Sequence, residues 1–189
     1  MVIVAVAYVA LLYFTGLTVD TVKFMVLIPM LMIAFLVDYK LQIIPNRLTL
    51  TIFEFGLIFT FAETLLNTNL GINIFINNIL GMLVGGGIFL LITLIGGALA
   101  GKEAMGFGDV KLMGALGLFF GWVNMIIISV MAFLFAAVVS IIILISRRKK
   151  INEYIPFGPF IVVASIIPMY LSTPQLILIL LKIFSLGTY

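Results

Sequence analysis

The sequence predicts an all-α fold, a polytopic transmembrane helical bundle of six to eight helices. Three observations predict it. The 189 residues are 65% hydrophobic and 9% charged, whereas a soluble domain is about half apolar and about a quarter charged. The apolar residues fall in runs approaching the ~20 that a helix needs to cross a bilayer. Those runs lack the polar–apolar alternation of barrel strands. Lipid admits only helices or closed barrels, so helices remain, and residues 1–189 are read as one integral-membrane domain.

Residues 2–15, VIVAVAYVALLYFT, form the first run, with two tyrosines suited to interface or packing positions. No basic n-region or small-residue cleavage motif marks it as a signal peptide, so a retained span is expected. Residues 16–23, GLTVDTVK, read as a polar turn. The second run, 24–37, contains Pro29, which is expected to kink it, and it ends at Asp38. Residues 39–47, YKLQIIPNR, read as a connector in which Pro45 biases Ile44 away from helix and Asn46 is a candidate N-cap.

The third span, 48–66, carries Glu54 and Glu63. Either would be costly on a lipid face, so both are expected to point inward or reach an interface. They stand about two and a half turns apart, on roughly opposite faces. Residues 67–78, with five Asn and no charge, read as a loop. The fourth span, 79–99, holds Gly81 and Gly85 at GxxxG spacing, which lets helix backbones approach closely. Residues 109–120 are apolar but short for a span, 121–124 form a tight turn, and 125–145 are a further span. After RRKKINEY at 147–154, the end reads either as two short spans broken at Pro174 or as one span and an interfacial helix.

Alternating these spans places loops 39–47, 101–111 and 147–154 on one side. They hold Lys40, Arg47, Lys102, Lys111, Arg147, Arg148, Lys149 and Lys150, eight of the ten basic residues. Basic loops stay in the cytoplasm, so that side is expected to be cytoplasmic, in a multi-pass protein of the cell membrane. The RRKK cluster then serves topology and anionic lipid, not nucleic acid. Asp38 and Asp109 fall on the same side at similar depth, although neither was used to set it.

Cys and His are both absent. Thiol catalysis, disulfides, His-based proton transfer and ordinary zinc sites are therefore excluded, and no metal or cofactor is expected. The stretch GKEAMGFGD lacks the phosphate-loop pattern. What stands out is an acidic residue at the lip of an apolar run, twice. Such residues usually face a protein interior or a polar cavity. Two adjacent carboxylates share one proton, so one can activate water while the other donates to a peptide carbonyl. Gly106 and Gly108 are expected to leave room beside Asp109 for a substrate backbone. Asp38 closes a helix and Asp109 opens one, so the helix dipoles place the shared proton on Asp38. The blander alternative is a pair of aspartates at headgroup depth that merely interrupt apolar runs.

Asp38 with IPN at 44–46, GFGDVKLMGALG at 106–117 and IPFGPF at 155–160 together resemble the type IV prepilin peptidases, a family of GxGD membrane aspartic proteases that includes preflagellin peptidases. The resemblance covers about residues 25–171. It implies that Asp38 and Asp109 are the catalytic pair at the cytoplasmic membrane face, with Pro45, Asn46, Gly106, Gly108, Lys111, Pro156, Gly158 and Pro159 as supporting motif residues. It also implies type IV prepilins or pilin-like precursors as partners, cut between a short basic leader and the apolar helix that follows. Glu103 and Glu153 are candidates for reading the leader's basic residue. The family's bacterial members usually carry paired CxxC motifs in a large loop and a methylating region. With no Cys here, a peptidase-only form is expected. A small transporter or channel, or a non-catalytic pilus-assembly scaffold, are the competing readings. Nothing in the sequence speaks to the oligomeric state.

Overall fold

A computed structural model describes residues 2–67, 69–100, 105–146 and 156–184 of the chain. Among the described residues the fold is entirely helical. The helices are α1 (Val2–Thr15), α2 (Val19–Leu41), α3 (Asn46–Leu66), α4 (Gly71–Ala100), α5 (Phe107–Ile145), α6 (Gly158–Tyr170) and α7 (Thr173–Phe184). Four of them, α2 to α5, are long and apolar enough to cross a membrane. The chain is a multi-pass helical bundle.

The polar turn expected at 16–23 contracts to 16–18. Thr18 and Thr21 form a reciprocal capping box that starts α2 at Val19. Lys23 is carried into the bundle, where its Nζ lies 2.6 Å from Glu63 Oε1 and 2.7 Å from Asp20 Oδ1. Helix α2 continues through Pro29 and past Asp38 to Leu41. Glu63 is buried and Glu54 is exposed, which matches their opposite faces but turns Glu54 outward. The loop expected at 67–78 is also shorter, because α4 begins at Gly71. Asn78 is helical and buried, and its Nδ2 donates to Thr60 Oγ1 at 3.2 Å.

Helix α5 is not straight. Gly121 has φ +71° and ψ 172°, a conformation that only glycine adopts readily. The arms on either side of it double back along α4. A Cβ added at Gly85 would lie 2.6 Å from Met113 O of the first arm and 2.6 Å from Met125 Cε of the second. The turn expected at 121–124 is therefore present, and the first arm, 107–120, is only about 20 Å long. Gly81 and Gly117 bring α4 and this arm into backbone contact, the close approach expected of small residues between membrane helices. At the C-terminal end the break falls at Leu171–Ser172, and Pro174 lies in the first turn of α7. Helices α6 and α7 are both shorter than a full span, at 13 and 12 residues.

Candidate active site

Asp38 sits in the last turn of α2 and Asp109 in the first turn of α5. Both are nearly fully buried, at 3% and 4% exposed. They line one cavity of about 340 Å³ together with Gln42, Pro45, Asn46, Gly106, Gly108 and Lys111. The connector after α2 and the start of α5 are thus brought to one end of the bundle. A larger cavity of about 1080 Å³ lies at the other end, around the Lys23–Glu63 pair, Asn77 and Asn124.

Asp38 is held from a third element. The backbone N–H of Gly158 donates to Asp38 Oδ2 at 2.8 Å, and Gly158 opens α6 with Pro159 behind it in the first turn. A proline there costs no hydrogen bond, since the first N–H groups of a helix have no internal partner. The Gly158 N–H at the start of α6 is thus given to Asp38, offsetting the unfavourable C-terminal end of its own helix. A Cβ at residue 158 would lie 2.6 Å from Asp38 Oδ2, so this position has no room for a side chain. The start of α6 is anchored by Phe157, whose ring lies 5.7 Å from Phe89 and 5.1 Å from Phe133. Phe89 is fully buried.

Asp109 differs from Asp38. Its Oδ1 is buried without a hydrogen-bond partner among the described residues. A buried, unpartnered carboxylate oxygen is costly and is the kind of atom that a substrate or water satisfies.

Two expectations need correction. The space beside Gly108 belongs to the connector and not to a substrate: a Cβ there would lie 3.1 Å from Ile44 Cβ. The glycine lets the connector pack against the start of α5. Asn46 is not the N-cap, which is Pro45 with no side-chain cap bond. Asn46 is the first helical residue, and its Oδ1 accepts from Lys111 Nζ at 2.8 Å, tying α3 to α5. Lys111 also lies over the Phe107 ring, 5.2 Å from its centroid. Glu103 and Glu153 lie outside the described residues. Sequence reasoning missed Gln42, which lines the cavity and ends α2 in the left-handed region with φ 55°. It also missed Phe89 and Phe133, whose role depends on contacts between distant helices that leave no local signal.

A family model described as "Type IV leader peptidase family" matches residues 25–141, more than half of the chain. Among curated proteins, the chain is 31% identical over 146 residues to a prepilin leader peptidase/N-methyltransferase of Aeromonas salmonicida (strain A449), covering 72% of this chain and 48% of that protein. A protein of the same name from Legionella pneumophila is 29% identical, over 82% of this chain and 52% of its own length. The one from Pectobacterium carotovorum subsp. carotovorum is 28% identical, over 78% and 50%. The chain spans about half the length of these relatives. No solved structure gives a significant match.

Proposed function

This chain belongs to the type IV leader peptidase family, and on that premise we propose that it is a membrane aspartic endopeptidase acting on type IV prepilins or pilin-like precursors. It removes their short basic leader at the cytoplasmic face of the cell membrane, with Asp38 and Asp109 as the catalytic pair. The observation that carries this reading is that two buried carboxylates from distant segments line one small cavity.

The hydrogen bonds support a division of roles. Asp38 Oδ2 already accepts an N–H, and a carboxylate with such a donor is suited to hold negative charge. Asp38 is therefore the base, and Asp109, whose Oδ1 has no partner among the described residues, carries the shared proton. This reverses the assignment expected from each residue's own helix. Asp38 takes a proton from water as its oxygen attacks the scissile carbonyl carbon, while Asp109 protonates the carbonyl oxygen. The tetrahedral intermediate collapses as the C–N bond breaks. Asp38 passes its proton to the leaving nitrogen, and Asp109 recovers its own from the hydroxyl of the intermediate. The reading assigns the peptidase reaction alone to these residues, and methyl transfer is not proposed for them.

The test is to reconstitute the purified protein in liposomes with a prepilin and follow the shortened product by N-terminal sequencing. Wild type is expected to cleave, while Asp38→Ala and Asp109→Ala do not. Cleavage surviving either substitution would exclude the two-aspartate mechanism, and absence of cleavage by the wild type would favour a non-catalytic assembly role.

A further inference from the structure

We propose that a groove between α3, α4 and the first arm of α5 is a membrane-embedded docking site for the apolar helix that follows the cleaved bond in the precursor. This deepens the peptidase reading and rests on it.

The groove has a volume of about 560 Å³ and is walled by Leu50, Phe53, Met82, Gly114 and Ala115, with Asn46 and Lys111 at one end. Pockets of this size and apolar character commonly bind ligands. Asn46 and Lys111 also line the aspartate cavity. The two spaces therefore abut, and the 2.8 Å Lys111–Asn46 hydrogen bond stands at their boundary.

The packing explains why the gap exists. Toward the far end α3 closes on α5: a Cβ at Gly56 would lie 2.9 Å from Leu118 Cβ and 2.9 Å from the Phe119 ring. Thr60 Oγ1 adds a hydrogen bond to Leu118 O at 3.2 Å. Near the aspartates the same two helices are spanned, among the described residues, by the Asn46–Lys111 hydrogen bond. Between these points Gly114 lets α5 pack closely on α4, where a Cβ would lie 3.7 Å from Gly86 Cα, and the groove is left on the α3 side. Leu50 is 55% exposed, so the groove opens sideways from the bundle, where a helix lying in lipid can enter.

The position of the groove favours the precursor's own helix over a lipid chain as occupant. The bond to be cut joins a basic leader to an apolar helix. With that bond at Asp38 and Asp109, the helix that follows it leaves the aspartate cavity beside Asn46 and Lys111, which line both spaces, and enters the groove.

The experiment places a benzophenone amino acid at position 50 or, as a control, at position 91 on α4, where Leu91 is 59% exposed. Both are made in an Asp109→Asn background and irradiated with a full-length precursor in liposomes. Position 50 is expected to crosslink to the first turns of the precursor's apolar helix, and position 91 is not. In parallel, Leu50→Trp, which adds bulk at the mouth of the groove, is assayed on the full precursor and on a short peptide ending just beyond the cleaved bond. The KM for the full precursor is expected to rise about tenfold or more, the equivalent of one lost apolar anchor, with short-peptide cleavage unchanged. Crosslinks to lipid alone, or equal loss on both substrates, would overturn the docking site. Cleavage by wild type without a crosslink at position 50 removes the groove and leaves the peptidase. A crosslink without any wild-type cleavage does the reverse.

Discussion

Gly158 donates its backbone N–H to Asp38 Oδ2 at 2.8 Å, joining positions 120 residues apart. The bond ties α6 to the aspartate site and sets a helix start against a residue in the last turn of α2. It also accounts for the glycine at position 158, since any Cβ would meet the Asp38 carboxylate within 2.9 Å of its Cγ.

Gly158→Ala is therefore expected to displace Asp38 or lose the hydrogen bond. Peptidase activity should fall by roughly 10- to 100-fold, the effect of losing one charge-assisted hydrogen bond. The kcat of the purified variant, with thermal unfolding measured alongside, checks this. Full activity in a folded variant would show that the N–H is dispensable.

A pair that shares one proton works only in its singly protonated form. Below the first macroscopic titration both carboxyls are protonated and no base remains. Above the second both are ionised and no acid remains. The kcat/KM of wild type against pH is accordingly expected to be bell-shaped. A profile rising monotonically with pH would sink the acid–base division between Asp38 and Asp109.

The Lys23–Glu63 ion pair lies at the opposite end of the bundle from the aspartates. Both residues are buried, at 4% and 7% exposed. Lys23→Ala strands the Glu63 carboxylate and is expected to cost about 3–5 kcal/mol, whereas Glu63→Ala should cost less because Lys23 keeps Asp20 at 2.7 Å. The double change Lys23→Met with Glu63→Leu should cost much less, because no charge is stranded. Thermal unfolding of the three variants in one detergent reads the difference, and additive losses would deny the pairing.

Gly121→Ala is expected to destabilise the fold by about 1–3 kcal/mol from the glycine-only backbone conformation alone, with more from the Asn77 side chain that closes on this position. The effect appears as a lowered unfolding temperature. An unchanged one would mean that the turn of α5 tolerates a side chain.

The membrane bundle, most span limits, the turn at Gly121 and both aspartates were legible in the sequence, because apolar runs, charged loops and glycines act locally. Shorter turns than expected arose where a polar side chain found a distant partner: Lys23 met Glu63, and Asn78 met Thr60. Those pairings let helix replace the loop that polarity alone predicts.

The sequence by itself determined which two carboxylates sit at the lips of apolar runs and, through the basic loops, that they share a side. Only the tertiary structure decided what surrounds them. It packed Ile44 against Gly108 where room for a substrate was expected, set Asn46 on Lys111 in place of a cap, and aimed the N–H of Gly158 at Asp38. The physical reason is the reach of each force. Transfer of a side chain to lipid depends on the residue itself and its near neighbours, whereas the charge carried by a buried carboxylate depends on donors that arrive from anywhere in the chain.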